Sequence, residues 1–334
     1  MQSRCGLAAA TAENTCARLN STALLRPTGR CDSATATLQI SRIGNRIGIS
    51  LGVVYGAIPA GYSRYVAIGD SQTEGLWDGD ESTGLLGFAD RLAVMLDSLY
   101  PGLQYANLAI RGKRLGDVLT EQIPETLAME PDLITVCAGM NDVIQPGRSF
   151  GRALVELDHL YATLADSGAT VVTTTFPNVA QFLPFGWIVS KRLARINWAI
   201  RVAAHRYGFP LVDLYNAASM RDWDTWSYDR VHASPKGHFL FAAAAAEALN
   251  LPGSNHDWAQ PHLDPTQFSG GAGGYGKLRW TQDNFFPWVW RRMRGLSAAD
   301  GRFPKRPQLE PVNAQPTPHD AAPTEDVAAR GQHP

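Results

Sequence analysis

An apolar run that breaks off abruptly at Gly-Asp-Ser constrains this chain more than any other stretch: Tyr65-Val-Ala-Ile-Gly-Asp-Ser71-Gln-Thr-Glu-Gly75. Short runs of aromatic and β-branched residues that stop at a glycine read as buried strands. In an α/β sheet, ligands bind outside the carboxyl ends of the strands. The reading therefore delivers Ser71 to such an edge and makes it the first nucleophile candidate. A lone hydroxyl is a weak nucleophile at neutral pH, so a base has to be found.

Near the far end of the chain stands Tyr228-Asp229-Arg-Val-His232-Ala-Ser-Pro235, with a carboxylate three residues before an imidazole. Ser234 and Pro235 mark a helix start just beyond it. A neutral imidazole takes up a hydroxyl proton, and a neighbouring carboxylate fixes its tautomer and stabilises the imidazolium. Asp229, His232 and Ser71 are thus a candidate triad. The plain alternative for the pair taken alone is a surface aspartate and a helix-flanking histidine.

Two more strand-like runs end in the same style. Asn107-Leu-Ala-Ile-Arg-Gly112 follows an apolar stretch from Leu103, and Leu133-Ile-Thr-Val-Cys-Ala-Gly139-Met-Asn141-Asp142 repeats the pattern. Acyl transfer needs several donors aimed where negative charge develops. The Ser71 N–H, the Gly112 N–H and the Asn141 side-chain amide are the candidates, each with a bland counterpart as turn glycine or capping residue. Asp70 and Asp142 follow strand-end glycines and take supporting roles, capping the next turn or holding these loops.

Together and in this order, the blocks resemble the SGNH hydrolases, also called the GDSL esterase/lipase family. Gly69-Asp70-Ser71 resembles the nucleophile block, and Gly112 falls where the oxyanion glycine is expected. Gly139-Met-Asn141-Asp142 looks like the Gly-x-Asn-Asp block, and Asp229 to His232 matches Asp-x-x-His. The resemblance covers roughly residues 63 to 251 and rests on the ordered set, since any single block recurs by chance. It implies a serine hydrolase of carboxylic esters, working through an acyl-enzyme without metal or cofactor. Gln72 departs from the name-giving motif, which has Leu there, and so alters the wall beside the nucleophile. Other readings stay open: acyl transfer to an alcohol from the same intermediate, and a non-catalytic binding module of the same fold. A phosphoesterase using Asp70, Asn141, Asp142, Asp229 and His232 as hard-cation ligands is a further alternative.

At 334 residues with 45% hydrophobic content and a net charge of -1, the chain can bury a sizeable core and has no basic bias toward nucleic acid. A small-molecule or lipid ester is the expected substrate. Strands are expected near 64 to 69, 104 to 110, 132 to 138, 170 to 176 and 210 to 215, alternating with helical segments. The clearest helix runs from Ile188 to Tyr207, with Ile188, Leu193, Ile196, Ile200 and Ala203 at helical spacing. Segments 87 to 99, 151 to 166 and 236 to 250 read likewise. The expected fold is a three-layer α/β/α sandwich around a five-stranded parallel sheet, flavodoxin-like in class.

The flanks are read separately. Residues 1–62 are expected to form a largely disordered extension, with Cys5, Cys16 and Cys31 at spacings that match no zinc pattern. Ile47 to Ala60 reads as an extra strand or lead-in segment. It would resemble a weak secretory signal only if translation began near residue 40, so a cytoplasmic protein is expected. Residues 252–334 form a Pro- and Gly-rich tail, in which Phe285, Phe286, Trp288 and Trp290 read as a staple onto the main domain. Their neighbouring cations leave peripheral membrane contact as the alternative. No apolar run reaches membrane-spanning length. Segments 77 to 86 and 178 to 187, with Phe182, Phe185 and Trp187, are candidates for walling an acyl pocket. Oligomeric state is left open.

Overall fold

In a computed structural model, residues 34–43, 46–55, 61–80, 84–144, 149–182, 186–261 and 299–313 are described. Two compact units divide between Ala57 and Ile58. In the first, strands β1 (Ala34–Ile43) and β2 (Arg46–Tyr55) pair antiparallel, from Ala34 opposite Tyr55 to Ile43 opposite Arg46. This differs from the largely disordered extension expected there. Cys5, Cys16 and Cys31, and the aromatic segment from Phe285 to Trp290, lie outside the described residues.

In the second unit, strand β3 (Arg64–Gly69) runs into the one-turn helix α1 (Ser71–Glu74). The two-residue strands β4 (Gly79–Asp80) and β5 (Gly84–Leu85) follow, then helix α2 (Phe88–Leu99) and strand β6 (Gln104–Asn107). A helical stretch comes next, made of α3 (Leu115–Asp117), a π-helical turn at Val118–Gln122 and α4 (Ile123–Ala128). Strand β7 (Leu133–Cys137) leads to α5 (Met140–Ile144) and α6 (Phe150–Ala165). Strand β8 (Thr170–Thr175), α7 (Gly186–Tyr207), β9 (Leu211–Asp213), α8 (Pro235–Ala248) and β10 (Arg306–Pro311) complete the order.

The main sheet has the order β10-β6-β3-β7-β8-β9, with the five strands from β6 to β9 parallel. Those five lie in the doubly wound order expected of a flavodoxin-like sheet. The sheet nevertheless has six strands rather than five, because the tail returns β10 antiparallel to β6, pairing Arg306 with Asn107 and Pro311 with Gln104. The segment Arg306-Pro-Gln-Leu-Glu-Pro311 hides its strand character behind two prolines. Proline cannot donate to a ladder and is tolerated on an edge strand, where this segment lies.

The parallel strands are buried on both faces, as in β7, where all five residues from Leu133 to Cys137 are inaccessible. Burying each Val, Ile or Leu of this kind contributes roughly 1.5–3 kcal/mol. Helix α2 packs on α8, and α6 packs on α7. Cys137 is a buried free thiol. No helix among the described residues is long and apolar enough to cross a membrane.

The edge strand is tied in by its two cations. Lys305 Nζ donates to Asp90 Oδ2 at 2.5 Å and to the Leu85 carbonyl at 2.8 Å. The Arg306 guanidinium lies 5.2 Å from the Tyr105 ring centre and donates to the Pro311 carbonyl at 2.8 Å and the Val312 carbonyl at 3.3 Å. Because this group is buried and charged, Arg306→Ala should destabilise the fold by about 1–3 kcal/mol, seen as a thermal midpoint several degrees lower. An unchanged midpoint would show that the Arg306 side chain does not hold β10 in place.

Candidate active site

The carboxyl ends of three adjacent strands supply the site. Strand β3 lies between β6 and β7, so the segments that follow them, at Ser71, Gly112 and Asn141, emerge side by side. Crowding at this edge explains Gly69: its φ is +149°, and a Cβ there would sit 2.2 Å from the Cys137 carbonyl oxygen. Asp70 then caps α1, its Oδ1 accepting from the Gln72 N–H at 3.4 Å. Ser71 opens that helix, where the first N–H groups have no intrahelical acceptor.

The Asp229–His232 segment arrives from beyond β9, just ahead of α8. Its ends are drawn together by a bridge between Trp226 and Ala233 and by the Ser227 N–H donating to the His232 carbonyl at 3.0 Å. Arg230 occupies the left-handed region at φ +61°, and Asp229 Oδ1 accepts from the N–H groups of Val231 at 3.0 Å and His232 at 2.9 Å. This is the local bonding by which aspartate favours turns. The turn thereby aims the carboxylate and the imidazole the same way.

The three residues form a connected line. Ser71 Oγ lies 2.6 Å from His232 Nε2, and His232 Nδ1 lies 2.5 Å from Asp229 Oδ2. An ionised carboxylate only accepts, so Nδ1 carries the proton and Nε2 is left to accept from the serine hydroxyl. Burial by itself would raise the Asp229 carboxyl. The His232 charge, the His232 hydrogen bonds and the Val231 N–H outweigh it and hold the group well below the usual carboxylate range. For His232, burial opposes the charged form, but Asp229 beside it, helped by Asp70, raises its pKa above the ordinary value.

Several contributors went unread in the sequence. The Trp77 indole N–H donates to Asp229 Oδ2 at 2.8 Å from a backbone with φ +72°, and Ser227 Oγ donates to Oδ1 at 2.9 Å. Gln122, from the π-helical turn, pairs with both backbone groups of Gly69 at 2.9 Å each. Glu74 accepts from the Arg111 N–H at 2.8 Å and binds its guanidinium at 2.9 Å, tying the Ser71 helix to the residue before Gly112. Gln72, noted only as a departure from a motif, is bonded on both sides of His232: it donates to the Val231 carbonyl at 2.8 Å and accepts from the Ala233 N–H at 3.2 Å. The departure from the motif's leucine directly after the candidate nucleophile was the available signal.

Gly112 has φ +83°, a conformation that favours glycine, and lies in the turn after β6. Asn141 Nδ2 donates to the Lys113 carbonyl at 2.9 Å and to Asp70 Oδ2 at 3.3 Å, while Asp142 Oδ2 accepts from the Leu115 N–H at 3.0 Å. His238 is buried elsewhere: its Nδ1 accepts from the Phe88 N–H and its Nε2 donates to the Leu76 carbonyl, each at 3.2 Å. Burial pushes its pKa down to about 3. Of the expected pocket aromatics, Phe182 is buried against Trp223, with ring centres 4.6 Å apart, and Trp187 is exposed. Phe185 lies outside the described residues.

Comparison with known proteins gives the family. The sequence model of the GDSL-like Lipase/Acylhydrolase family matches residues 67–240, which include every segment just described. The chain belongs to this family. It is a carboxylic ester hydrolase of the esterase/lipase type. No curated protein matches it in sequence. Among solved structures it is similar to LAE5, an alpha/beta hydrolase enzyme from the metagenome of Lake Arreo, Spain, at 22% identity and a TM-score of 0.50 over 58% of this chain and 98% of that one. It is also similar to a catalytic mutant of Axe2, an acetylxylan esterase from Geobacillus stearothermophilus, at 16% identity and a TM-score of 0.50 over 62% of this chain and 100% of that one. These likenesses extend the family's fold to the hydrolase domain here.

Asp70 yields a stability prediction. Burial pushes its carboxyl up to about 7 against the bonds from Gln72 and the charge of His232, with Asp142 adding to the rise. A folded pKa above the unfolded value of 3.8 means that the native state binds the extra proton between those pH values. The carboxyl therefore favours folding least once pH passes about 7. Asp70→Asn removes that titration, so its thermal midpoint relative to wild type should rise between pH 5 and pH 8. A constant difference across that range would contradict the raised value.

Proposed function

We propose that this hydrolase cleaves carboxylic esters through an acyl-enzyme on Ser71, with His232 as general base and Asp229 as its orienting carboxylate. The 2.6 Å contact between Ser71 Oγ and His232 Nε2, with Asp229 closing the far side of the ring, carries the reading. As Oγ attacks the ester carbonyl, its proton passes to Nε2, and the carbonyl oxygen takes the negative charge. The Ser71 N–H and the Gly112 N–H are the donors assigned to that oxygen, joined by the Asn141 amide as it exchanges its long 3.3 Å bond to Asp70 for one to the oxyanion. Collapse expels the alcohol, which leaves with the proton from Nε2. Water then attacks the acyl-enzyme, giving its proton to His232, which passes it to Ser71 Oγ as the acid departs.

The bonds at the ring also weigh against the hard-cation reading. Nδ1 faces Asp229 and Nε2 faces Ser71, so His232 has no ring nitrogen left for an ion. Asp70 and Asp142 stand as supports: Asp70 caps the Ser71 helix and meets the Asn141 amide, and Asp142 holds the Leu115 N–H beyond Gly112. A small-molecule or lipid ester fits an acyl-transfer site of this kind, and the reaction as written draws on no metal or cofactor.

Ser71→Ala should lower turnover of a p-nitrophenyl ester on the order of 10⁶-fold. A fluorophosphonate should label the wild-type enzyme at Ser71, located by mass spectrometry. Wild-type turnover in Ser71→Ala would end the proposal.

The pH profile supplies a second test. His232 has to be neutral to accept the proton, and its pKa is raised, so kcat/KM should fall with acid through a midpoint above the ordinary histidine value. Asp229→Asn removes the neighbouring charge: turnover should drop on the order of 10⁴-fold, and the midpoint should move to lower pH. A midpoint at or below that of an ordinary histidine in the wild type would contradict the arrangement.

A further inference from the structure

Resting on the Ser71–His232 reading, we propose that Gln72 is a positioning residue that sets the distance between nucleophile and base. Its backbone is joined to Ser71 by a single peptide bond, so its Cα stands about 3.8 Å from that of the nucleophile. Its side chain reaches across to the segment carrying His232, which is 160 residues further along the chain (232 − 72). There it meets the two peptide groups that flank His232. Nε2 donates to the Val231 carbonyl at 2.8 Å, and Oε1 accepts from the Ala233 N–H at 3.2 Å.

A carbonyl can only accept and an N–H can only donate, so these partners fix which end of the amide points where. Glutamine offers both functions at one side-chain end, and at this reach no aliphatic residue can replace it. Gln72 is also buried, with 7% of its surface exposed, so water is poorly placed to substitute for either bond.

The bonds close a ring. It runs from Ser71 through the peptide bond to Gln72, through the amide to the backbone on either side of His232, and back through the imidazole to Ser71 Oγ. Bonds from Asp229 and Ser227 lie within that same turn and move with it, and the Trp77 indole reaches the turn at the Asp229 carboxylate rather than at the backbone beside the imidazole. They set how the imidazole faces its carboxylate. Gln72 ties that turn to the residue next to the hydroxyl, and so governs the separation across which the proton passes. A displacement of about 1 Å in such a separation can cost 10²-fold in rate.

The test compares Gln72→Leu and Gln72→Met with wild type and with Ser71→Ala. The leucine variant removes both bonds and installs the residue of the name-giving motif. The methionine variant keeps an unbranched chain of similar length and serves as a second protein in case the branched residue impairs folding. For either variant, kcat on a p-nitrophenyl ester should fall roughly 10- to 100-fold, while KM stays within about threefold. The rate of Ser71 phosphonylation by a fluorophosphonate should fall by the same factor as kcat, since it draws on the same base.

A residue that only satisfies buried backbone groups would lower the thermal midpoint and leave the kcat of the folded fraction, determined by active-site titration, intact. A kcat within twofold of wild type, or a loss confined to KM, overturns the inference. If Ser71→Ala retains wild-type turnover, the proposed mechanism itself fails. If Ser71→Ala is inactive while both Gln72 variants turn over normally, only the positioning role fails.

Discussion

Parallel strands that end beneath a covered edge leave peptide N–H and C=O groups without a ladder partner, and this chain answers them with side-chain amides. Each buried group left unbonded would cost about 1–3 kcal/mol. Gln122 pairs with both backbone groups of Gly69, Asn197 does the same for Phe176 at 2.8 Å each, and Asn107 joins the Thr73 carbonyl to the Ala109 N–H. Gln72 completes the set on the segment around His232. Satisfying the backbone and positioning the site are therefore one event. Each amide spans segments distant in sequence, so the loops bearing Ser71, Gly112 and His232 are held by groups that the fold cannot release cheaply.

Much of the fold was legible because its signals are local. Five strands and the helices near 88, 150, 186 and 235 announce themselves by apolar runs and helical spacing. Helix α7 begins at Gly186, two residues before the apolar stripe starts at Ile188, and helix ends seldom coincide with the pattern that reveals them. What escaped is what depends on distant partners. Strand β10 has little β character of its own, and it forms because the edge of β6 is open and Asp90 and Tyr105 wait for its two cations. The hairpin in the N-terminal extension did carry a local sign, since Gly44-Asn45 separates two runs rich in β-branched residues. Reading Ile47 to Ala60 alone hid its partner.

At the site, residue type and order gave the candidate reacting groups, because a hydroxyl, an imidazole and a carboxylate have few other reasons to stand after strand ends and before a helix. The supporting groups were illegible for a physical reason. Trp77, Gln122 and Glu74 act through hydrogen bonds whose partners lie in other segments, and nothing in the neighbouring sequence marks one tryptophan or glutamine over another. Gln72 was visible only as an oddity. Its meaning lies in the two peptide groups at Val231 and Ala233, which only the folded chain brings to it.

Two aspartates near His232 show what decides the electrostatics. Asp70 is buried and Asp229 keeps 21% of its side chain exposed, and both feel the imidazole charge, yet Asp70 is pushed up to about 7 while Asp229 is held below the usual range. Burial acts in the same direction on each, so it cannot explain the difference. The adjoining imidazole charge, with the donors, can: Asp229 lies directly against His232 and receives five bonds, from Trp77, Ser227, Val231 and two atoms of His232, at distances from 2.5 to 3.0 Å. Asp70 receives the Gln72 N–H at 3.4 Å and the Asn141 amide at 3.3 Å, both long, together with a bond from the Gly139 backbone. Hydrogen bonds to the charged form weaken steeply with length and misalignment, and here they fall short of the desolvation they oppose. The turn at Asp229 to His232 thus does more than aim two side chains. By spending its own backbone N–H groups on the carboxylate, it keeps that group ionised across the neutral range, where the imidazole needs a fixed negative partner to take up a proton.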